Sequence, residues 1–267
     1  MGVITISRGS YSKGKYIAEK VAEALGYECI SRDILLETSE HFNIPELKLA
    51  RAIHDAPSFL NRVQHGREKF IAYIRETLLE HALKGDVVYH GLAGHFLLRG
   101  IPNILKVRIT ADLDYRVAEE MKRESISEKK ARHLLVKDDD ERRKWGMRLY
   151  GIDTADNSLY DAVFHIDNLQ ADDVVEILID MVKRDNFSIG EKTRHLIERH
   201  YLAAKVHSAI IDDFPTSSVY AQNGSVIVSL EAAMALEETA REKIYGLTRN
   251  IIEHREIKIS ILPIDVD

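Results

Sequence analysis

Short β-branched runs alternate with longer stretches of helical periodicity through the first two thirds of the chain. Val3, Ile4, Thr5 and Ile6 make an apolar run that ends just before Gly9, which predicts a buried strand over residues 3–7. Ile17, Val21, Ala22 and Leu25 then recur at helical spacing, and Gly26 follows as a stop, which predicts a helix over 15–25. A second short strand is expected over 28–31. Residues 34–84 read as mostly helical, broken at Pro45 and Pro57. Within them, 68–83 forms an amphipathic helix with Phe70, Ile71, Ile74, Leu78 and Leu79 on one side. Further strands are expected over 87–90, 104–109 and 162–166, and further helices over 113–124, 127–137 and 172–182. Strand, turn, helix, strand opens a parallel sheet, so the class is α/β.

The pattern changes beyond residue 183. Residues 184–190 are polar and read as a linker. A helix over 193–211 follows, then strands over 218–221 and 224–230 around Asn223-Gly224, a strong hairpin signal. A helix over 231–245 and a strand over 251–261 complete a small α-β-β-α-β unit, expected to be separate. The domain expectation is therefore 1–183 and 193–267, and the length of 267 residues fits about two domains.

Composition narrows the class. Hydrophobic content of 45% and charged content of 30% suit a soluble globular chain with a core. A net charge of −6 argues against a nucleic-acid partner held by bulk charge. The single cysteine, Cys29, excludes a disulfide scaffold and is expected to be an inert buried thiol. No run approaches the roughly 20 apolar residues of a membrane helix. The start of the chain has neither a basic segment nor a small-residue cleavage site. The expectation is a cytoplasmic protein without a membrane span. The histidines include no His-Glu-x-x-His arrangement, so no metal site is assigned.

Chemistry concentrates in the first loop. Arg8, Gly9, Ser10, Tyr11, Ser12, Lys13, Gly14 and Lys15 lie between the first strand and its helix. There the amides of a helix N-terminus and the helix dipole favour an anion such as a phosphate. Gly9-x4-Gly14-Lys15 matches the phosphate-loop pattern, with Tyr16 where a Ser or Thr should contact Mg²⁺. The bland alternative is an ordinary turn with solvated lysines. His90 and Gly91 stand at the expected carboxyl end of a strand, where ligands bind in open α/β sheets. A hydrogen-bonded core histidine is the competing reading of His90.

Several of these stretches together resemble the cytidylate-kinase-like family of P-loop nucleoside monophosphate kinases. They are Ile4-Thr5-Ile6-Ser7-Arg8 with Ile17-Ala18-Glu19-Lys20, then Val87-Val88-Tyr89-His90-Gly91, Asp139-Asp140-Glu141-Arg142, and Tyr160-Asp161. The resemblance covers about residues 1–183. It implies a P-loop NTPase-type parallel sheet with helices on both faces, a substrate-binding helical insert and a mobile lid. It further implies transfer of the γ-phosphoryl group of ATP·Mg²⁺ to a nucleotide such as CMP or dCMP. On that reading Lys15 or Lys13 is the phosphate lysine, and Arg142 and Arg143 are lid arginines; their alternative is a solvated charge network. Arg32, Asp33 and Arg116 match substrate-side positions, with a helix cap or a surface ion pair as the competing roles. The chain departs from the family at Tyr11 and Lys13, where glycines are expected, and at Leu92, where an arginine is usual. Those departures support a second reading, a nucleotide-binding regulator with a degenerate site.

The last unit resembles a BON domain, on Asn223-Gly224-Ser225-Val226-Ile227-Val228, the helix after it and Tyr245-Gly246-Leu247. Residues 191–267 carry more acidic than basic side chains, which favours self-association or a protein partner over an anionic bilayer.

Overall fold

The computed structural model of the chain describes residues 1–9, 12–31, 65–91, 94–232 and 236–263. Ser10, Tyr11, Arg32, Asp33 and Leu92, singled out above, lie outside the described residues.

Five parallel strands form the main sheet: β1 (Val3–Arg8), β2 (Glu28–Ile30), β3 (Val87–His90), β4 (Ile104–Ala111) and β5 (Ala162–Ile166). Their order is β2-β3-β1-β4-β5. The central strand β1 is paired on both edges, with Ile6 opposite His90 and Val107, which explains its continuous apolar run. Among the described residues, the helices of this part are α1 (Gly14–Leu25), α2 (Gly66–Lys84), α3 (Gly94–Leu97), α4 (Leu113–Glu124), α5 (Glu128–Tyr150) and α6 (Ala171–Val182). One face of the sheet packs Ile4, Ile6, Leu105 and Val107 against Ile17 and Val21 of α1 and Val174 and Leu178 of α6. The other packs Val3, Val87 and Ile104 against Ile74, Leu78 and Leu79 of α2. Helices therefore cover both faces, as expected. α4 and α5 form a hairpin held by Val117, Ala131 and Leu135.

The chain continues through α7 (Glu191–Ile210), β6 (Ser218–Gln222), β7 (Ser225–Ala232), α8 (Glu237–Ile252) and β8 (Glu256–Pro263). The three strands lie in the order β6-β7-β8. β6 and β7 are an antiparallel hairpin closed by Asn223 and Gly224, both at positive φ as a two-residue turn requires. β7 and β8 run parallel.

Five expectations need correction. The helix expected over 127–137 runs on to Tyr150, where Gly151 in the left-handed region ends it. The helix expected over 231–245 starts later, because β7 continues to Ala232 in pairing with β8. The strand expected from 251 begins at Glu256, because Ile252 completes the buried helical row Ile244, Thr248, Ile252. The expected linker is not loose: Ile189 is buried and its N–H donates to the Met1 carbonyl at 2.9 Å. α7 places Ile197 and Ala204 in the core of the main sheet and Val206 and Ile210 in the core of the small one. On α2, Ala72, Tyr73, Glu76, Thr77 and His81 are buried in addition to the expected stripe: Ala72 and Tyr73 pack with Ile211, and His81 Nδ1 lies 2.9 Å from Glu28 of β2. Cys29 is half-buried rather than buried. Among the described residues, no helix is long and apolar enough to cross a membrane.

Candidate active site at the carboxyl ends of β1 and β3

The first loop leaves β1 and is fastened at its base. Gly9 N–H donates to the Ile109 carbonyl at 3.1 Å. Ser12 is fully buried, and its hydroxyl lies 3.0 Å from the carbonyls of both Gly9 and Ile109. α1 starts at Gly14, so the positive end of its dipole faces this turn. Gly14 has a steric reason: a Cβ there would meet Arg8 Cβ at 2.6 Å and Arg8 Cδ at 2.8 Å. The Arg8 side chain thus lies across Gly14. A Cβ on Gly9 would sit 3.6 Å from Arg116 Nη1, so the Arg116 guanidinium borders the same turn from α4.

His90 closes the site from β3. It is 3% exposed, and its Nδ1 has no hydrogen-bond partner. Burial, with Arg8 and Lys15 nearby, pushes its pKa down to about 4, so the ring is neutral at pH 7. The turn after it folds around Tyr89, whose ring would stand 2.3 Å from a Cβ on Gly94 and whose hydroxyl 3.0 Å from one on Gly91. Gly91 N–H donates to the Ile6 carbonyl at 3.2 Å, holding this turn against β1.

The lysines separate. Lys13 takes the left-handed backbone, φ 65°, as a non-glycine residue. Its ammonium pairs with Glu119 on α4, which raises the Lys13 pKa and lowers that of Glu119. Lys15 is exposed, with its Nζ 3.5 Å from Glu19 one turn along α1. Tyr16 turns away: its hydroxyl donates to Asp172 at the start of α6, at 2.7 Å.

On the lid side, Arg116 pairs with Asp139 of α5 at 2.8 Å, with only 11% of its side chain exposed. Arg142 is half-buried on α5 among interacting groups, and Arg143 reaches Asp153 at 2.9 Å. Asp139, Arg142 and Arg143 share one helix face by their spacing. Tyr160 secures the return to β5: its hydroxyl donates to the Thr154 carbonyl at 2.8 Å and lies 3.1 Å from Ser7 Oγ.

The structure thus brings Arg8, Gly9, Gly14, Lys15, His90, Gly91 and Arg116 together. Glu119 of α4 holds Lys13, Asp172 of α6 holds Tyr16, and Arg142 and Arg143 share their helix with Asp139, the partner of Arg116. Glu119, and the role of Asp139 as the partner of Arg116, were not anticipated, because nothing in local spacing marks a partner so distant in sequence. Guanidinium groups, an ammonium and a helix N-terminus around a glycine-framed turn suit a phosphate. Among the described residues, no group of three or more His, Cys, Asp or Glu could hold a metal ion.

Residues 3–168 match the cytidylate kinase-like family, more than half of the chain. The chain belongs to the cytidylate kinase-like family. It is 24% identical over 184 residues to a cytidylate kinase of Sulfolobus acidocaldarius, covering 68% of this chain and 95% of that one. It is 30% identical over 111 residues to a cytidylate kinase of Staphylothermus marinus, where the match spans 42% of this chain and 62% of the relative. An uncharacterized protein from Eubacterium ventriosum shares the fold with a TM-score of 0.55 at 20% identity, over 69% of this chain and all of that one. Family membership supports the kinase class and nucleotide binding, and α7 onward lies beyond the family match.

Proposed function

We propose that the chain transfers the γ-phosphoryl group of ATP to a nucleoside monophosphate, with CMP or dCMP as the substrates to test first. The observation that carries this is the placement of the Arg116 and Arg8 side chains against Gly9 and Gly14, beside a neutral, buried His90 on which Arg8 and Lys15 act electrostatically. Phosphoryl transfer needs positioning and charge stabilisation more than covalent chemistry. The loop amides, Arg8 and Lys15 bind and orient the phosphates. Arg116 exchanges Asp139 for a phosphate oxygen and so neutralises developing charge. Arg142 and Arg143 arrive as α5 closes, which excludes water and limits hydrolysis. Mg²⁺, held by the nucleotide's own phosphates and water, would supply charge neutralisation between the phosphates. His90 stays neutral and offers a hydrogen bond on the substrate side.

A second reading is favoured by Lys13, which Glu119 holds away, and by Tyr16, which Asp172 occupies. On it the chain binds nucleotide and turns over weakly or not at all. In both readings residues 1–183 form the nucleotide unit. Residues 193–267 act as a BON-like module for self-association or a protein partner. Calorimetry with ATP·Mg²⁺, ADP and the monophosphates, followed by a coupled turnover assay, tests the assignment. Binding with turnover supports the kinase, binding alone supports the regulator, and no binding removes both.

A further inference from the structure

A pocket of about 280 Å³ opens between α3 with the turn after it, the start of β4 and the segment that joins α5 to β5. It is separate from the first loop. Ile104 and Lys106 in its wall pair with Val3 and Thr5, near the start of β1, whereas the loop begins beyond Arg8. The volume is just below the roughly 300–1,000 Å³ of sites that take drug-sized ligands, so it suits a small molecule rather than a nucleoside triphosphate. Phe96, Ile101, Ile104, Ile152 and Leu159 give it an apolar lining. Phe96 is held in place by stacking on Tyr150, with centroids 4.6 Å apart.

The charges in the lining are of one sign. Arg99 and Lys106 contribute them, and no carboxylate lines the pocket. Arg99 is exposed and makes no ion pair among the described residues. Lys106 Nζ lies 3.3 Å from Asp161, which also accepts the Lys106 N–H at 2.8 Å. Arg108, two residues along the same face of β4, is occupied by the Thr154 carbonyl. Arg99, Lys106 and Asp161 together leave one uncompensated positive charge, which matches a monoanion. His95 completes the wall. It is 8% exposed, and its ring packs between Phe96 and Tyr160, with centroids 4.1 and 4.8 Å away. Its Nε2 has no hydrogen-bond partner among the described residues. Burial, with Lys106 and Arg108 nearby, lowers its pKa to about 4, so the ring is neutral and carries one donor and one acceptor.

We propose that this pocket is a second binding site, for a small carboxylate with an apolar ring, whose head sits on Arg99 and Lys106 and whose body lies against Ile101, Ile152 and Leu159. The occupant bears on α5 through the segment beneath it. That segment carries Asp153, which holds Arg143 at 2.9 Å, and leads into Tyr160, whose hydroxyl lies 3.1 Å from Ser7 Oγ of β1. A ligand seated on Ile152 and Leu159 braces the support of Arg143. The consequence for turnover rests on the kinase reading; the binding itself does not.

The test therefore reads binding rather than turnover. Benzoate is titrated into the full chain without nucleotide and followed by saturation-transfer NMR, with circular dichroism checking the fold of each variant. Saturable binding in the millimolar range or tighter is expected. Benzyl alcohol lacks the charge and acetate lacks the ring, and each is expected to bind at least roughly tenfold more weakly. Arg99→Ala is expected to weaken benzoate roughly ten- to a hundredfold, the usual loss of a charge-assisted hydrogen bond. Leu159→Trp fills the pocket and is expected to abolish binding; Arg99→Ala carries the test if that variant does not fold. Lys15→Ala and added ATP·Mg²⁺ are expected to leave benzoate binding unchanged, which separates this pocket from the first loop. The proposal is overturned if benzoate does not saturate, or if benzyl alcohol or acetate binds as well as benzoate. It is equally overturned if Arg99→Ala or a folded Leu159→Trp binds like the wild type, or if Lys15→Ala or ATP·Mg²⁺ abolishes binding. Failure here leaves the kinase reading standing, because no arm of the test reads phosphoryl transfer.

Discussion

The Arg8 side chain lies so close across Gly14 that a methyl group on Gly14 would stand 2.6 Å from Arg8 Cβ. The contact is possible only because Gly14 carries no side chain. Gly14→Ala is predicted to push Arg8 out of place. Overpacking of this kind costs about 1–3 kcal/mol of stability. Binding of ATP should fall by more than that loss explains, because the folded fraction no longer presents the guanidinium. Thermal melts and calorimetry on the same sample separate the two effects.

Lys13 and Lys15 are predicted to behave differently. Lys15 is 62% exposed, and its pair with Glu19 is an ordinary exposed helical one. Such pairs contribute about 0.2–0.5 kcal/mol, so Lys15→Ala should leave the melting temperature nearly unchanged. If Lys15 serves the phosphates, the same change should lower turnover about 10²–10³-fold, the usual loss for one preorganised donor. Lys13→Gly removes a left-handed non-glycine residue, which relieves roughly 1–2 kcal/mol, and gives up a partly exposed pair with Glu119 worth about 1 kcal/mol or less. Stability should stay level or rise, and turnover should be retained. A collapse of turnover in Lys13→Gly with full activity in Lys15→Ala would exchange the two roles.

The strands of the main sheet and the bounds of α4 and β5 were legible because they depend on local pattern. Val3 to Ile6 can hardly be anything but a buried strand, and Gly26 stops α1 where expected. The second buried side of α2 was not legible. Tyr73, Glu76 and His81 look like a solvent face until residues distant in sequence, Ile211, Tyr201 and Glu28, come to lie near them. Lys13 with Glu119 and Arg116 with Asp139 are equally silent in the sequence, since an ion pair across elements leaves no spacing behind. The phosphate loop was visible as a motif, but which of its lysines faces the turn depends on the backbone at Lys13. In the last unit, Ile251 and Ile252 fit a strand as well as a helix, and only packing beside Ile244 and Thr248 decides.

Acid is predicted to unfold the chain well before its carboxylates protonate. His90, His95 and His207 each have a pKa lowered to about 4, chiefly by burial. Unfolded, they titrate near the usual value of roughly 6.5. Between about pH 6.5 and about pH 4 the unfolded state binds protons that the native state does not, so stability falls as pH falls. It is fully present above the unfolded value. Each group contributes at most about 1.4 kcal/mol per pH unit, so the slope in this window is on the order of 4 kcal/mol per unit. Denaturant melts at stepped pH measure it. His90→Gln should remove about a third of the slope. A bound phosphate beside His90 should flatten it too, by favouring the protonated ring.

Arg116 and Asp139 are predicted to give opposite results, and this distinguishes a phosphate ligand from a structural tie. The pair spans α4 and α5 at 2.8 Å, with the Arg116 side chain 11% and the Asp139 side chain 37% exposed. If the pair only ties the helices together, Arg116→Ala and Asp139→Asn both cost stability and both leave nucleotide affinity near its wild-type value. If Arg116 serves a phosphate, Asp139 competes with the ligand for it. Asp139→Asn then releases the guanidinium and should tighten nucleotide binding, even as the native fold loses up to about 1 kcal/mol. Arg116→Ala should weaken binding and lower turnover about 10²–10³-fold, with Lys a poor replacement because it lacks the planar fork. Calorimetry on the two single variants and the double variant completes the cycle. Non-additivity in affinity, with Asp139→Asn losing its benefit once Arg116 is gone, is the expected result. Equal losses in the two single variants would confine the pair to holding α4 against α5.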